Sequence, residues 1–327
     1  LMARYLLGRT LQSILLIWIV LTLTFMLLHL APGDPMARYE HPDISPETVR
    51  MMREQLGLDR PVLEQYFVWA GSFIKGDFGT SLRYNRPVRS LLAEAIPNTL
   101  KLTVASLFLY LVTGILLGMV SAAKRHSVFD RLSTVVSLFL YSVPSFWLSL
   151  MLILLFSLKL GLLPSSHIQT IGTSDLSGID LFLDRLSHLV LPAFVLGVAS
   201  AAGLARYMRG SMLDVMREDY IRTARAKGLT EKSVIMKHAF RNAALPVVTI
   251  LGLSLPFLLG GAVIVERIFS WPGMGGLMVD SIYARDYPVV LAVNFVVAAM
   301  VIAGNLIADL GYAVLDPRIT TGGRNGG

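Results

Sequence analysis

The side chains with the clearest capacity for chemistry lie in one basic stretch, from Arg206 to Ala243. It holds nine Lys or Arg residues against four acids, a net charge of +5 from nine minus four. Its middle reads Asp219-Tyr220-Ile221-Arg222-Thr223-Ala224-Arg225-Ala226-Lys227-Gly228-Leu229. Apolar or small residues recur there at helical spacing, which predicts a short helix that ends in left-handed geometry at Gly228. Thr230 and Glu231 then suit the start of a second helix. We interpret the stretch as a docking element.

Motifs for catalysis are missing from the sequence. No Gly-x-x-x-x-Gly-Lys-[Ser/Thr] segment occurs, so the chain has no phosphate-binding loop and is not expected to hydrolyse ATP. It has no cysteine and no Gly-x-Ser-x-Gly turn, and its six histidines show no metal-ligand spacing. We therefore predict no enzyme, no catalytic residue, no metal site and no cofactor in this chain.

The elements that must carry the basic stretch are membrane helices. The 327 residues are 54% hydrophobic and 16% charged, too apolar for an ordinary soluble enzyme of this size. Six charge-free windows reach the length of about 20 residues that a span needs. They are Thr10–Leu30, Leu102–Ala123, Leu132–Leu158, Leu186–Ala205, Asn242–Val265 and Tyr287–Ala308. The predicted fold class is an all-α polytopic membrane protein.

The distribution of positive charge predicts the orientation. The net charge of +7 could indicate nucleic acid, but the basic stretch, flanked by spans, supplies five of those charges. Placing it in the cytosol satisfies the positive-inside rule, with both termini cytosolic. Nucleic acid is therefore not an expected partner.

The segment Ala31–Asn98 then lies outside the cytosol. A helix is predicted from Pro46, with Ser45 as its cap, to near Gly57, and a second over Val62–Lys75. We divide the chain into three parts: residues 1–97, with the first span and this segment; residues 98–315, a five-helix core with the loop 206–243; and a cytosolic tail, 316–327.

Several residues within the spans have structural or polar potential. Gly114 and Gly118 share one helix face and favour close helix packing. Pro144 frees a backbone carbonyl in the third window, where either plain packing or a kink that lines a pathway is open. Polar side chains that could line a pathway are Ser142, Ser254 and Asn294.

Two other interpretations of the basic stretch stay open from its residues alone. A basic helix next to the membrane can lie on anionic lipid, with each Lys or Arg contributing about 1 kcal/mol. It can also be a solvated linker. Gly228 and the small residues Ala224 and Ala226 favour docking, because a partner's groove could come close to them.

Seven stretches along nearly the whole chain resemble the permease subunits of ATP-binding-cassette importers, in the dipeptide, oligopeptide and nickel class. They include the basic stretch, in which Arg222-Thr223-Ala224 stands where the general family loop has Glu-Ala-Ala. The other six are the segments 30–35, 56–61, 76–81, 269–275, 285–288 and 315–318.

The resemblance implies a type I importer permease fold in a bacterial or archaeal cytoplasmic membrane. It implies a heterodimer with a related permease, two cytosolic ATPases that bind ATP and Mg, and an extracytoplasmic substrate-binding protein. Coupling to the ATPases would involve Asp219, Tyr220, Arg222, Thr223, Ala224, Gly228 and Leu229.

The implied cargo is a dipeptide or oligopeptide, with nickel chelates or glutathione as alternatives. An ion-coupled secondary carrier is a different class of function. It would require intramembrane charges and inverted repeats, whereas only Asp309 lies near the edge of a predicted span.

Overall fold

The computed structural model describes the backbone of residues 2–36, 45–55, 57–172, 177–244, 247, 250 and 262–315, and the side chains in these ranges except those of 2–7, 52, 55 and 307–315. These residues are helical apart from turns and one isolated bridge between Thr80 and Pro87. The chain divides into two compact units, Leu1–Pro97 with Gly273–Ile302 and Asn98–Pro272 with Ala303–Gly327.

The first unit is built from helices at both ends of the chain. They are α1 (Met2–Leu30), α2 (Pro46–Gln55), α3 (Val62–Ile74), the start of α4 (Val88–Ala123), α13 (Met274–Tyr283) and the start of α14 (Tyr287–Leu315). The two helices predicted in the segment after the first span are confirmed as α2 and α3. Ser45 accepts a hydrogen bond from the Thr48 amide and caps α2, as predicted.

The second unit continues α4 and holds the basic stretch. Its further elements are α5 (Val128–Ser142), α6 (Ser145–Leu152) with a π-helical extension (Ile153–Lys159), α7 (Gly178–Ala193) with a π-helical extension (Phe194–Val198), α8 (Ala201–Val215), α9 (Asp219–Ala226), α10 (Glu231–Ser233), a π-helix (Val234–Ala239), α11 (Phe240–Ala243) and α12 (residues 262–268).

Within the described residues, four helical segments are long and apolar enough to cross a membrane. They are Gly8–Leu30, Val88–Ala123, Gly178–Val198 and Tyr287–Leu306. The first and last agree with predicted windows. The second ends as predicted at Ala123 but begins at Val88, before the predicted Leu102, and the third runs from Gly178 to Val198 instead of from Leu186 to Ala205. Most of the predicted window Asn242–Val265, together with Ser254, lies outside the described residues, as does the side chain of Asp309.

The predicted window Leu132–Leu158 is interrupted by a sharp bend and is not one continuous helix. Helix α5 and the helix from Ser145 to Lys159 meet at an angle of 105°. Val143 is extended, with φ −77° and ψ 128°, because the proline ring of Pro144 disfavours helical geometry at the preceding residue. The pair therefore forms a broken span or a re-entrant segment.

A buried carboxylate organises the turn before α4 in the first unit. Asp286 is fully buried, and its oxygens accept hydrogen bonds from the backbone amides of Leu82 and Arg83, both 3.1 Å long. The Ser81 hydroxyl also donates to it. Hydrogen bonds from several donors compensate for burying the carboxylate charge.

The neighbouring Arg285 connects the segment that follows α1 to the turn around Asp286. Its guanidinium donates to the Pro32 carbonyl at 2.6 Å. Gly33 has φ +114°, and an added Cβ there would lie 1.5 Å from the Arg285 guanidinium. Three of the resembling segments, 30–35, 76–81 and 285–288, thus meet around Arg285 and Asp286.

Helices α4 and α8 pack closely against each other in the second unit. A Cβ on Gly118 would lie 2.6 Å from both the Ala205 carbonyl oxygen and the Met208 Cβ, and one on Gly114 would lie 2.7 Å from Leu204. The prediction that this glycine pair packs a neighbouring helix is confirmed. Contact at this distance increases the van der Waals attraction that holds helices together in lipid.

We expect Gly118→Ala to destabilise the chain, because the added methyl group has no space beside Ala205 and Met208. Overpacking of this kind costs about 1–3 kcal/mol. Thermal unfolding of the detergent-purified chain should show a lower midpoint temperature. Gly210→Ala is the control, since an added Cβ on Gly210 would meet nothing within 4 Å. Equal midpoints for the two variants would contradict the packing argument.

Candidate functional site

The basic stretch folds as a helix, a tight turn and a second helix. Glu218 is extended, with φ −66° and ψ 148°, and α9 begins at Asp219. The Asp219 carboxylate pairs with Arg222 one turn later, and its negative charge in the first turn complements the helix dipole. The Thr223 hydroxyl donates to the Asp219 carbonyl at 3.0 Å. These local contacts support a helix of only eight residues.

Gly228 ends α9 in the predicted geometry. Its φ is +78°, its amide donates to the Arg225 carbonyl at 2.9 Å, and the Leu229 amide donates to the Ala224 carbonyl at 3.4 Å. This pair of hydrogen bonds is the Schellman arrangement, which satisfies the last carbonyls of a helix. The prediction of a left-handed glycine turn is confirmed.

The second helix is joined to α9 across this turn. The Thr230 hydroxyl accepts from the Ser233 amide at 3.4 Å, which confirms Thr230 as the cap. Arg225 binds the two carboxylate oxygens of Glu231 at 2.7 and 3.1 Å. Hydrogen bonding to Arg225 lowers the pKa of Glu231. The pair therefore stabilises the fold above the ordinary pKa of a glutamate, and this stabilisation is lost as pH falls through the lowered pKa. Both side chains are largely exposed, and solvent screening keeps that effect small.

One face of α9 is buried by this chain's own core. Ile221 is 0% and Ala224 is 5% exposed. They belong to a cluster with buried residues of α8 and of the following helical segment: Met208, Met212, Val234, Ala239 and Ala243. The expectation that Ala224 offers a partner a close approach therefore needs correction, because its small side chain lets α9 lie close to α8 and the second helix instead.

The opposite face of α9 is open. Asp219, Arg222, Thr223, Ala226 and Lys227 are exposed. Tyr220, at the edge of this face, and Leu229, beyond the end of α9, are 40% and 41% exposed. The Tyr220 hydroxyl accepts a hydrogen bond from the Asn242 side chain at 2.8 Å, which holds its ring in one orientation. We define the outer face as Asp219, Tyr220, Arg222, Thr223 and Leu229.

Two of the predicted pathway residues have hydrogen-bond partners within their own units. Ser142 donates to the Leu138 carbonyl of its own helix at 2.8 Å. Asn294, in the other unit, donates to the Thr24 hydroxyl on α1 at 2.5 Å. Ser254 lies outside the described residues. A pathway role for these three residues remains a prediction.

One polar contact that involves a residue of the basic stretch was not predicted from the sequence. Arg209 on α8 binds both carboxylate oxygens of Asp130 on α5, at 2.7 and 2.8 Å. The two residues are 79 positions apart. Arg209 entered the sequence analysis only as one of the nine basic residues of the stretch, and no local pattern predicts that it pairs with Asp130.

Comparison with known proteins establishes the family. Residues 114–321 match the model of the "Binding-protein-dependent transport system inner membrane component" family, and residues 2–103 match the model of that family's N-terminal part. The chain belongs to this family. The permease is thus a membrane component of a transport system, and the resemblance seen in its sequence is confirmed.

Curated relatives match the permease over almost its whole length. The oligopeptide transport system permease protein AppB of Bacillus subtilis is 46% identical over 319 residues, which cover 97% of this chain and 99% of AppB. The glutathione transport system permease protein GsiC of Escherichia coli K12 is 40% identical over 318 residues, which cover 97% of this chain and 99% of GsiC.

A solved structure confirms the fold class. An inward-facing form of the MetNI methionine ABC transporter matches with a TM-score of 0.56 over 70% of this chain and 97% of that chain. The identity is 18%, so this likeness concerns the fold alone. The permease has the predicted all-α type I importer permease fold.

We expect Gly228→Val to unfold the end of α9, because a β-branched residue resists positive φ. In the valine variant the backbone amides of residues 228 and 229, which close the turn, should exchange with solvent faster than in the unmodified chain. Gly228→Asn is the matched control, since asparagine tolerates left-handed geometry. Slow exchange in the valine variant would contradict the assigned turn.

Proposed function

We propose that the permease forms half of the translocation pathway of an ATP-driven peptide importer, and that the outer face of α9 docks into a cytosolic ATPase. The observation that carries this proposal is the division of α9 into two faces. Ile221 and Ala224 are buried in the permease's own core, while the opposite face stays open. A helix held in this way can receive force on one face and pass it inward through the other.

The sequence supports a separate ATPase. Since the chain has no phosphate-binding loop, another protein of the complex would hydrolyse the ATP. Two cytosolic ATPases would bind ATP and Mg, one docked on this loop and one on the loop of a related permease subunit. An extracytoplasmic binding protein would deliver the cargo.

The proposed orientation places both termini and the basic stretch in the cytosol of a bacterium or archaeon. The excess of Lys and Arg in that stretch supports it. The outer face then points to the compartment that contains ATP. Some of the basic residues next to the membrane would also contact anionic lipid.

Peptides are the proposed cargo, because AppB is named as an oligopeptide permease. GsiC is named for glutathione, itself a short peptide, which makes glutathione the second candidate. Ser142, Ser254 and Asn294 remain the predicted polar contacts along the pathway.

Reconstitution into liposomes tests the energy source. The permease should take up labelled peptide when it is assembled with its partner permease, both ATPases and the binding protein, and supplied with ATP. Uptake should stop with a non-hydrolysable ATP analogue. Uptake driven by a proton gradient without ATP would contradict the proposal, and glutathione supplied in place of peptide tests the second cargo.

Replacement of Tyr220 tests the docking face. We expect Tyr220→Ala to weaken ATPase binding by roughly 30-fold, since a buried aromatic anchor contributes about 2 kcal/mol at an interface. Affinity can be measured by binding purified ATPase to the permease heterodimer in nanodiscs. Tyr220→Phe, which loses only the hydrogen bond from Asn242, is the control and should bind nearly normally. Unchanged affinity of the alanine variant would exclude Tyr220 from the interface.

A further inference from the structure

The ion pair between Asp130 and Arg209 joins two helices of the second unit. The Arg209 guanidinium meets the carboxylate with two nearly equal hydrogen bonds, 2.7 Å from Nε and 2.8 Å from Nη2. The exposed fraction of the side chain is 6% for Asp130 and 30% for Arg209. A two-point contact of this kind fixes orientation as well as distance.

Asp130 is itself fixed at the start of α5. Its second oxygen also accepts from the His126 amide at 3.0 Å, and its own amide donates to the Ser127 hydroxyl at 3.2 Å. Arg209 therefore holds the whole first turn of α5, including the tight turn that precedes it, where His126 has φ +63°.

Helix α8, which carries Arg209, packs against α9, the proposed coupling helix. Met208 and Met212, on either side of Arg209, are fully buried and share the apolar cluster of Ile221 and Ala224. The Ser211 hydroxyl also donates to the Ala243 carbonyl at 2.9 Å, at the end of the second helix. A displacement of α9 must therefore move α8.

Helix α5 ends at the break of the span. Beyond Val143 and Pro144 the chain turns through 105° into the next helix, and Val143 is in extended geometry. A change in the direction of α5 needs rotation at only a few backbone bonds at this break. The far side of the Asp130–Arg209 contact is thus a helix that can be re-oriented.

We propose that Asp130 and Arg209 are a positioning pair that carries the movement of the coupling helix from α8 to the broken span. This role rests on the proposed function and assigns it a route: α9, α8, the ion pair, α5 and the break at Pro144. The exposed pair Arg225–Glu231 stays within the basic stretch and connects it to no span.

The alternative is that the pair only balances charge. Loss of one partner from a buried pair leaves an uncompensated charge, whereas replacement of both by apolar residues is often tolerated. The informative variant is therefore Asp130→Leu combined with Arg209→Met, which removes the two-point contact without leaving a charge. Arg209→Lys is a second variant, which keeps the charge but loses the planar fork.

The test measures peptide taken up per ATP hydrolysed by the full complex in liposomes, at equal amounts of assembled complex. We expect this ratio to fall at least about fivefold in the double variant, the lower limit of typical coupling between sites, and to fall less in Arg209→Lys. Glu64→Gln, which breaks the exposed pair with Arg60 in the other unit, should leave the ratio unchanged. An unchanged ratio in the double variant would overturn the proposal.

A distance measurement separates this inference from the proposed function. The chain has no native cysteine, so spin labels can be placed at Val128→Cys on α5 and Asp214→Cys on α8. The distribution of distances between the two labels should be narrow with the pair intact and broad in the double variant. The same narrow distribution in both would show that the pair does not position α5, and would overturn the proposal. If the unmodified complex shows no ATP-dependent uptake, the proposed function fails, and the label distances still decide whether the pair positions α5.

Discussion

Two side chains on one face of α9 attach the basic stretch to the helices of the second unit. Burying Ile221 removes its side chain from water, which stabilises the contact by about 1.5–3 kcal/mol, and the small size of Ala224 allows the approach. An amphipathic helix of eight residues would be only marginally stable alone in water, so α9 depends on this contact. The same contact joins α9 to α8, so a force applied to the outer face of α9 would also act on α8.

Helix α8 is in turn packed closely against α4, so a displacement of α8 reaches the rest of the second unit. Gly114 and Gly118 bring the α8 backbone against α4, and Gly197 brings the segment before α8 close to the Ser106 carbonyl, where a Cβ would lie only 2.4 Å away. In lipid there is little hydrophobic force between helices, so such contacts supply much of the attraction. A densely packed interior transmits displacement instead of absorbing it.

A feature of this loop can be predicted from the sequence where neighbouring residues in the chain determine it, and not where packing between distant segments does. Gly228 is predictable because a glycine between a helical pattern and a threonine cap has few other uses, and the family resemblance supplies its context. The inward direction of Ala224 is not predictable, because helical spacing identifies faces without saying whether a partner or the chain's own core covers them. Pro144 predicts a disturbance in the span, but its angle depends on packing around the break.

Pairing between residues far apart in the chain cannot be predicted from local patterns, and the buried Asp130 and Asp286 illustrate why. Asp286 accepts hydrogen bonds from backbone amides, whereas Asp130 is bound by a long arginine side chain from another helix. Both arrangements satisfy a buried charge, and a sequence pattern alone does not distinguish them. Their mechanical consequences differ, because the Asp286 contact closes a turn within the first unit, whereas the Asp130–Arg209 contact joins two helices. The two hydrogen bonds from Arg209 fix the orientation of α5 against α8. The Asp130–Arg209 contact is therefore suited to pass a movement of α8 to α5, and the Asp286 contact to hold a turn in place.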